Sequence, residues 1–191
     1  MIENLWLNSI WLAVLVGTSI FAAEHYLALY EMHLYHAGAA SYIVLTGRYA
    51  AAPSASAAAA RSWLISAKFV TQLVVLAIAI GATWQLCVRQ FSRPELFSFL
   101  IGGLVLYEAA VCTHHFRNIV LFRHAQRGEG VQGKIAYSRR LVFTLSFVEL
   151  YSFTALYFLM FLLSGQWFFF GGALTCLVAG NRLRDWTVLR A

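Results

Sequence analysis

Glu24 and Glu31 stand seven residues apart, and so do Glu108 and His115. A spacing of seven returns to the same face of an α-helix after about two turns. Two helices running in the same direction can therefore lay these four side chains along one seam. Glu149 is expected to reach that seam from a helix of opposite direction, with Gln72 at similar depth, and Asn118 follows His114 by one turn. Carboxylates and imidazoles gathered at low dielectric suit two chemistries: they ligate zinc, iron, manganese or copper, or they pass protons. Haem held between histidines of two helices is a third, with His25 and His114 or His115 as the pair. On this reading Glu24, Glu31 and His115 are candidate metal ligands. Glu108 and Glu149 are candidate catalytic or proton-accepting carboxyls, and His25 and His114 are candidate cofactor contacts. The doublet His114–His115 spans about 100° of helix, so one member at most faces any given seam.

No established motif sharpens the choice. The chain has neither the Glu-x-x-His pair of di-iron bundles nor the His-Glu-x-x-His of zinc proteases. Gly128-x-Gly130-x-x-Gly133 lacks the preceding strand that a dinucleotide site requires. His33, His36 and His124 sit where helices should already have left the bilayer, beside Tyr30, Tyr35 and Arg123, and read as headgroup contacts. Cys87, Cys112 and Cys176 lie in apolar stretches and read as packing residues.

The elements that must position these groups are long apolar segments. Of the 191 residues, 61% are hydrophobic and only 12% charged, against roughly a quarter charged in a soluble domain. A helix needs about 20 apolar residues to cross a bilayer core. Five segments qualify as spans: residues 5–35, 63–88, 95–124, 137–163 and 167–181. The fold expected is therefore all-α: a single polytopic membrane bundle of five transmembrane helices over residues 1–191. Residues 37–60 form a loop containing Gly38, Gly47, Pro53 and an Ala/Ser-rich tract, read as a mobile linker or a frayed helix. Pro94 opens the third span, where a helix start tolerates proline. The fifth is the weakest, because it is short and contains Gly171 and Gly172.

Placing the N-terminus outside leaves only Arg89 and Arg93 of the fourteen Lys and Arg residues on the outer side. Short-loop Lys/Arg bias sets orientation, so N-terminus out and C-terminus in is expected. The net charge of +6 is then a topology signal, and no nucleic-acid partner is implied. The first helix, preceded by Glu3 and no basic segment, reads as retained in a plasma (inner) membrane. Phe116–Arg123 and Leu183–Arg190 are similar, a trace of duplication or of convergent interfacial anchoring.

Glu108 and Glu149 should lie within the hydrocarbon, where an ionised carboxylate costs on the order of 3 kcal/mol. Three readings follow. The first is a metal- or haem-dependent membrane oxidoreductase, or a subunit of one. The second is a cation or proton transporter working as an oligomer. The third is a non-catalytic accessory subunit whose polar groups bind partner helices. Membrane lipids, partner membrane subunits or further copies of the chain are the expected partners.

Overall fold

A computed structural model describes residues 9–45, 66–128, 133 and 135–189. The start of the first span before Ser9, most of the 37–60 loop with Arg48 and Pro53, Arg61, the start of the second span at Trp63, and Lys134 and Arg190 lie outside the described residues. Among the described residues there are five long helices: α1 (Ile10–His36), α2 (Ala67–Trp84), α3 (Pro94–Gln126), α4 (Arg139–Ser164) and α5 (Trp167–Leu189). Three start on a serine whose hydroxyl accepts a hydrogen bond from a first-turn N–H. Ser9 caps Leu12, Ser66 caps Phe69 and Ser138 caps Leu141. Pro94 stands in the first turn of α3 as its sequence position predicts. Gly165 ends α4 in the left-handed conformation, φ 67°, and frees the chain to turn directly into α5.

Among the described residues, four helical stretches are long and apolar enough to cross a membrane: Ile10–His36, Ala67–Gln90, Pro94–Gln126 and Arg140–Ser164. Their outward faces carry large apolar side chains, including Trp11 at 79% exposure and Leu163 at 80%. The second of these stretches continues past Trp84 through a π-helical turn, Gln85–Gln90. The fifth helix departs from expectation. It runs on to Leu189, eight residues beyond the end read from the sequence, and carries Arg182, Arg184 and Asp185 in its last turns.

A feature without a local signal joins two loops. β1 (Ile43–Leu45) follows α1, and β2 (Ile135–Tyr137) precedes α4. They pair in parallel, with Val44 opposite Ala136. The pairing puts the last turn of α1 and the first of α4 at one end of the bundle, here the strand end. Pro94 and Trp167 lie at the opposite, far end.

Helix α3 is the centre of the bundle, packed on α1 along one side and on α5 along the other. Against α5 it packs by backbone approach. A Cβ at Gly102 would overlap the Phe168 carbonyl, and one at Gly171 would overlap the Phe99 carbonyl. Without a hydrophobic drive inside lipid, such small-residue contacts are what bring helices together. Gly171 and Gly172, read from sequence as a weakness in the span, are thus its packing face, and α5 passes through them unbroken. Tyr157 Oη donates to the Leu106 carbonyl at 3.1 Å and Tyr151 Oη to Asn181 Oδ1 at 2.7 Å, fastening α4 to α3 and α5. The far end is closed by an apolar cluster of Ala13, Ile80, Cys87, Phe97, Ile101, Phe168 and Phe169.

Candidate functional site

The polar residues converge in the half of the bundle nearer the strand end. Glu24 and Glu31 share a face of α1, and His115 of α3 sits between them. His115 Nδ1 bonds Glu31 Oε2, and Nε2 lies 3.3 Å from Glu24 Oε1. The spacing of seven on α1 thus brackets one imidazole. Glu31 is 1% exposed and His115 6%, so neither carries its hydration shell.

From Glu31 the network runs on toward α4. Asn118 Nδ2 donates to Glu31 Oε1 at 2.9 Å and approaches His114 Nε2 at 3.2 Å. His114 Nδ1 meets Glu149 Oε2 at 2.9 Å. Arg117 Nη1 donates to the same carboxylate oxygen at 2.8 Å, and its Nη2 reaches Asn118 Oδ1 at 3.4 Å. Arg117 Nη2 also stands 3.1 Å from His114 Nδ1, so that nitrogen faces a donor as well as the Glu149 carboxylate, while Asn118 Nδ2 faces Nε2. His115 differs, because carboxylates face both of its nitrogens and an imidazolium matches them best.

The histidine doublet therefore splits as helix geometry requires. His115 faces α1, His114 faces α4, and their rings stand 5.9 Å apart at 80°. Asn118 joins the two interfaces. Glu108 lies two turns from His115 toward the far end, half-buried, and interacts electrostatically with Glu24 and His115. Among the described residues, the seam holds four carboxyl groups (Glu24, Glu31, Glu108 and Glu149), one guanidinium, Arg117, and one imidazole between carboxylates, His115. At low dielectric each of these carboxyl groups has to be protonated or paired with a cation.

Of the seven candidate site residues, the structure brings Glu24, Glu31 and His115 into direct contact. It ties His114 and Glu149 to them through Asn118 and Arg117, and sets Glu108 beside them. His25 stands apart. One residue on from Glu24, it is turned about 100° around α1 and stacks on Phe69 of α2, ring centroids 4.1 Å apart. Its buried Nε2 has no hydrogen-bond partner. His25 and His114 thus face different neighbours, and the haem pairing expected of them finds no support. Gln72 is on an exposed face of α2. The metal expectation finds no support either. Among the described residues no group of three or more His, Cys, Asp or Glu is placed to hold a metal ion, and both nitrogens of His114 and of His115 are engaged in hydrogen bonds.

Sequence reasoning missed Arg117 as a member of the site, having counted it only as an interfacial cation. Its signal was present: it follows His114 by three residues and so shares that face of α3. Such an arrangement is chemically able to pass a proton: an imidazolium that gives the proton on one nitrogen to the neighbouring carboxylate can be reprotonated on the other nitrogen, with no rotation of the ring. No family model, no curated protein and no solved structure matches this chain.

Proposed function

We propose that this chain is a proton-translocating membrane protein, in which the Glu24–His115–Glu31 triad carries the proton between the membrane interior and the strand end. The observation that supports this most is a buried imidazole bonded at both nitrogens by carboxylates of one neighbouring helix. Asn118 is an amide and carries no proton. It positions Glu31 and His114, and a proton passing between them requires a bridging water. Glu149 and Arg117, the latter half-exposed, then form the mouth. Beyond Glu108 the apolar cluster at the far end blocks the path, so the arrangement is a half-pathway open toward the strand end. Release on the other side requires a second conformation or a further copy of the chain.

In this reading α5 is a fifth span. At 23 residues it extends roughly 34 Å and packs along both α3 and α4. Five alternating spans, with both strand-bearing loops at one end, fit the Lys/Arg bias that sets the N-terminus outside and the strand end in the cytoplasm of a plasma membrane. The metal- or haem-dependent enzyme is less favoured, because its ligands are already committed to one another. An accessory subunit would explain the contacts but does not call for a buried imidazole held between two carboxylates.

Purified protein in liposomes with an internal pH-sensitive dye and an imposed potassium diffusion potential tests the proposal. Wild type should acidify the lumen faster than empty vesicles. Glu108→Gln, which breaks no hydrogen bond of the network, and His115→Asn should return the rate to background. Flux absent from folded wild type, or unchanged in both variants, would overturn the reading. Stoichiometric metal or a Soret band in the purified protein would return it to the metal- or haem-dependent class.

A further inference from the structure

A second feature lies on the opposite side of α3. A cleft of about 790 Å³ runs along the α3–α5 interface, bounded by Phe99 and Tyr107 on α3 and by Leu174, Val178, Arg182 and Trp186 on α5. From Leu174 to Trp186 it follows α5 for twelve residues, or about 18 Å. Leu174 and Val178 are 40% and 53% exposed, so the trough opens sideways onto the surface that faces lipid.

Its two ends differ chemically. Toward the far end it is walled by Phe99 and Leu174. At the strand end stand Arg182 and Trp186. The neighbouring Arg184 is neutralised by Asp185 at 3.5 Å, whereas Arg182 is exposed and has no carboxylate partner among the described residues. Trp186 is held at the mouth by an edge-on contact with Phe143 of α4, ring centroids 6.2 Å apart, and indole favours the headgroup level. An apolar trough that ends in an uncompensated cation beside an indole is complementary to one kind of molecule, an amphiphile with an anionic head.

We infer that this cleft binds one anionic phospholipid, with its headgroup on Arg182 and an acyl chain along the wall formed by Leu174 and Val178. Basic pockets between transmembrane helices recognise anionic headgroups in this way. The guanidinium supplies several donors in a plane suited to a phosphate. The site shares no side chain with the Glu/His seam, and the inference does not depend on proton transfer.

Native mass spectrometry of the detergent-purified full chain tests it, with phosphatidylglycerol and phosphatidylcholine of identical acyl chains as competing probes. Wild type should retain one phosphatidylglycerol and prefer it about tenfold, or ~1.4 kcal/mol, because both lipids offer Arg182 a phosphate but phosphatidylcholine also brings a cation beside the guanidinium. Arg182→Gln should abolish the preference, and Arg182→Lys should retain most of it. Val178→Trp, on the exposed wall, should fill the trough and reduce binding of both lipids. Equal binding of the two lipids by wild type, or a preference that survives Arg182→Gln, would overturn the inference. Circular dichroism and gel filtration of each variant confirm that a loss of binding is not a loss of fold.

Discussion

The two sides of α3 are held by opposite means. Toward α5 the helix presents Gly102 and Gly103 and packs backbone against backbone. Toward α1 it presents His115 between two carboxylates, with Asn118 below it. Both solutions answer the same difficulty, that apolar side chains gain nothing from leaving lipid for one another. The glycine side obtains adhesion from close van der Waals contact and places no carboxylate or imidazole at the contact. The charged side obtains it from ion pairs and hydrogen bonds, and keeps carboxyl and imidazole groups buried there. A bundle needing only adhesion would be served by the first solution twice. The presence of the second is the physical ground for assigning function there.

Substitutions on each side sharpen this contrast. The largest effect is expected at Glu31. Glu31→Ala removes partners from both His115 and Asn118 and leaves a buried imidazole facing an apolar gap. Breaking one side of a buried pair costs about 3–5 kcal/mol, which should appear as a large loss of thermal stability in detergent. A cost no greater than that of an ordinary interhelical hydrogen bond in a membrane, roughly 0.6 kcal/mol, would mean that the triad is already solvated. Gly171→Ala comes next. Its methyl group would overlap the Phe99 carbonyl, and overpacking of this kind costs about 1–3 kcal/mol. Proton flux in whatever folded fraction remains should be unchanged, since no seam residue touches this interface. Flux lost in parallel with Glu31→Ala would erase the distinction between the two sides. The smallest effect is expected at His25. Its buried Nε2 lacks a partner and its ring already stacks on Phe69, so His25→Phe should leave stability the same or slightly raised. A clear loss of stability or flux would show that His25 has a role the geometry does not give it.

Much of this contrast could be read in the sequence, and the omissions have physical causes. The spacing of seven in Glu24/Glu31 and in Glu108/His115 predicts a common seam because helix periodicity is local. Pro94 and the apolar lengths locate the helix starts for the same reason. The end of α5 was misjudged because hydropathy reports where lipid contact ends, while backbone hydrogen bonds carry the helix through Arg182, Arg184 and Asp185. The β1–β2 pair joins residues about ninety positions apart and three long on each side, and no local pattern encodes it. Gly171 and Gly172 read as a weak point because propensity disfavours glycine in helices, whereas the backbone contact with α3 outweighs that preference. His25 looked like a ligand because sequence gives the residue type but not the rotation of the helix about its axis. Only the packing of α1 between α2 and α3 decides that Glu24 faces His115 while its neighbour faces Phe69.

The central claim is that the Glu24–His115–Glu31 triad binds and releases protons inside the membrane. The most direct measurement is a pH titration of the carboxyl stretch by infrared difference spectroscopy, on protein reconstituted in bilayers with the glutamates isotopically labelled. The account predicts a reversible carboxyl band that responds to pH, is altered in His115→Asn and is diminished in Glu31→Gln, with the helical amide bands intact. A spectrum whose carboxyl region is the same in wild type, His115→Asn and Glu31→Gln across the titration would contradict it and leave the seam a purely structural contact.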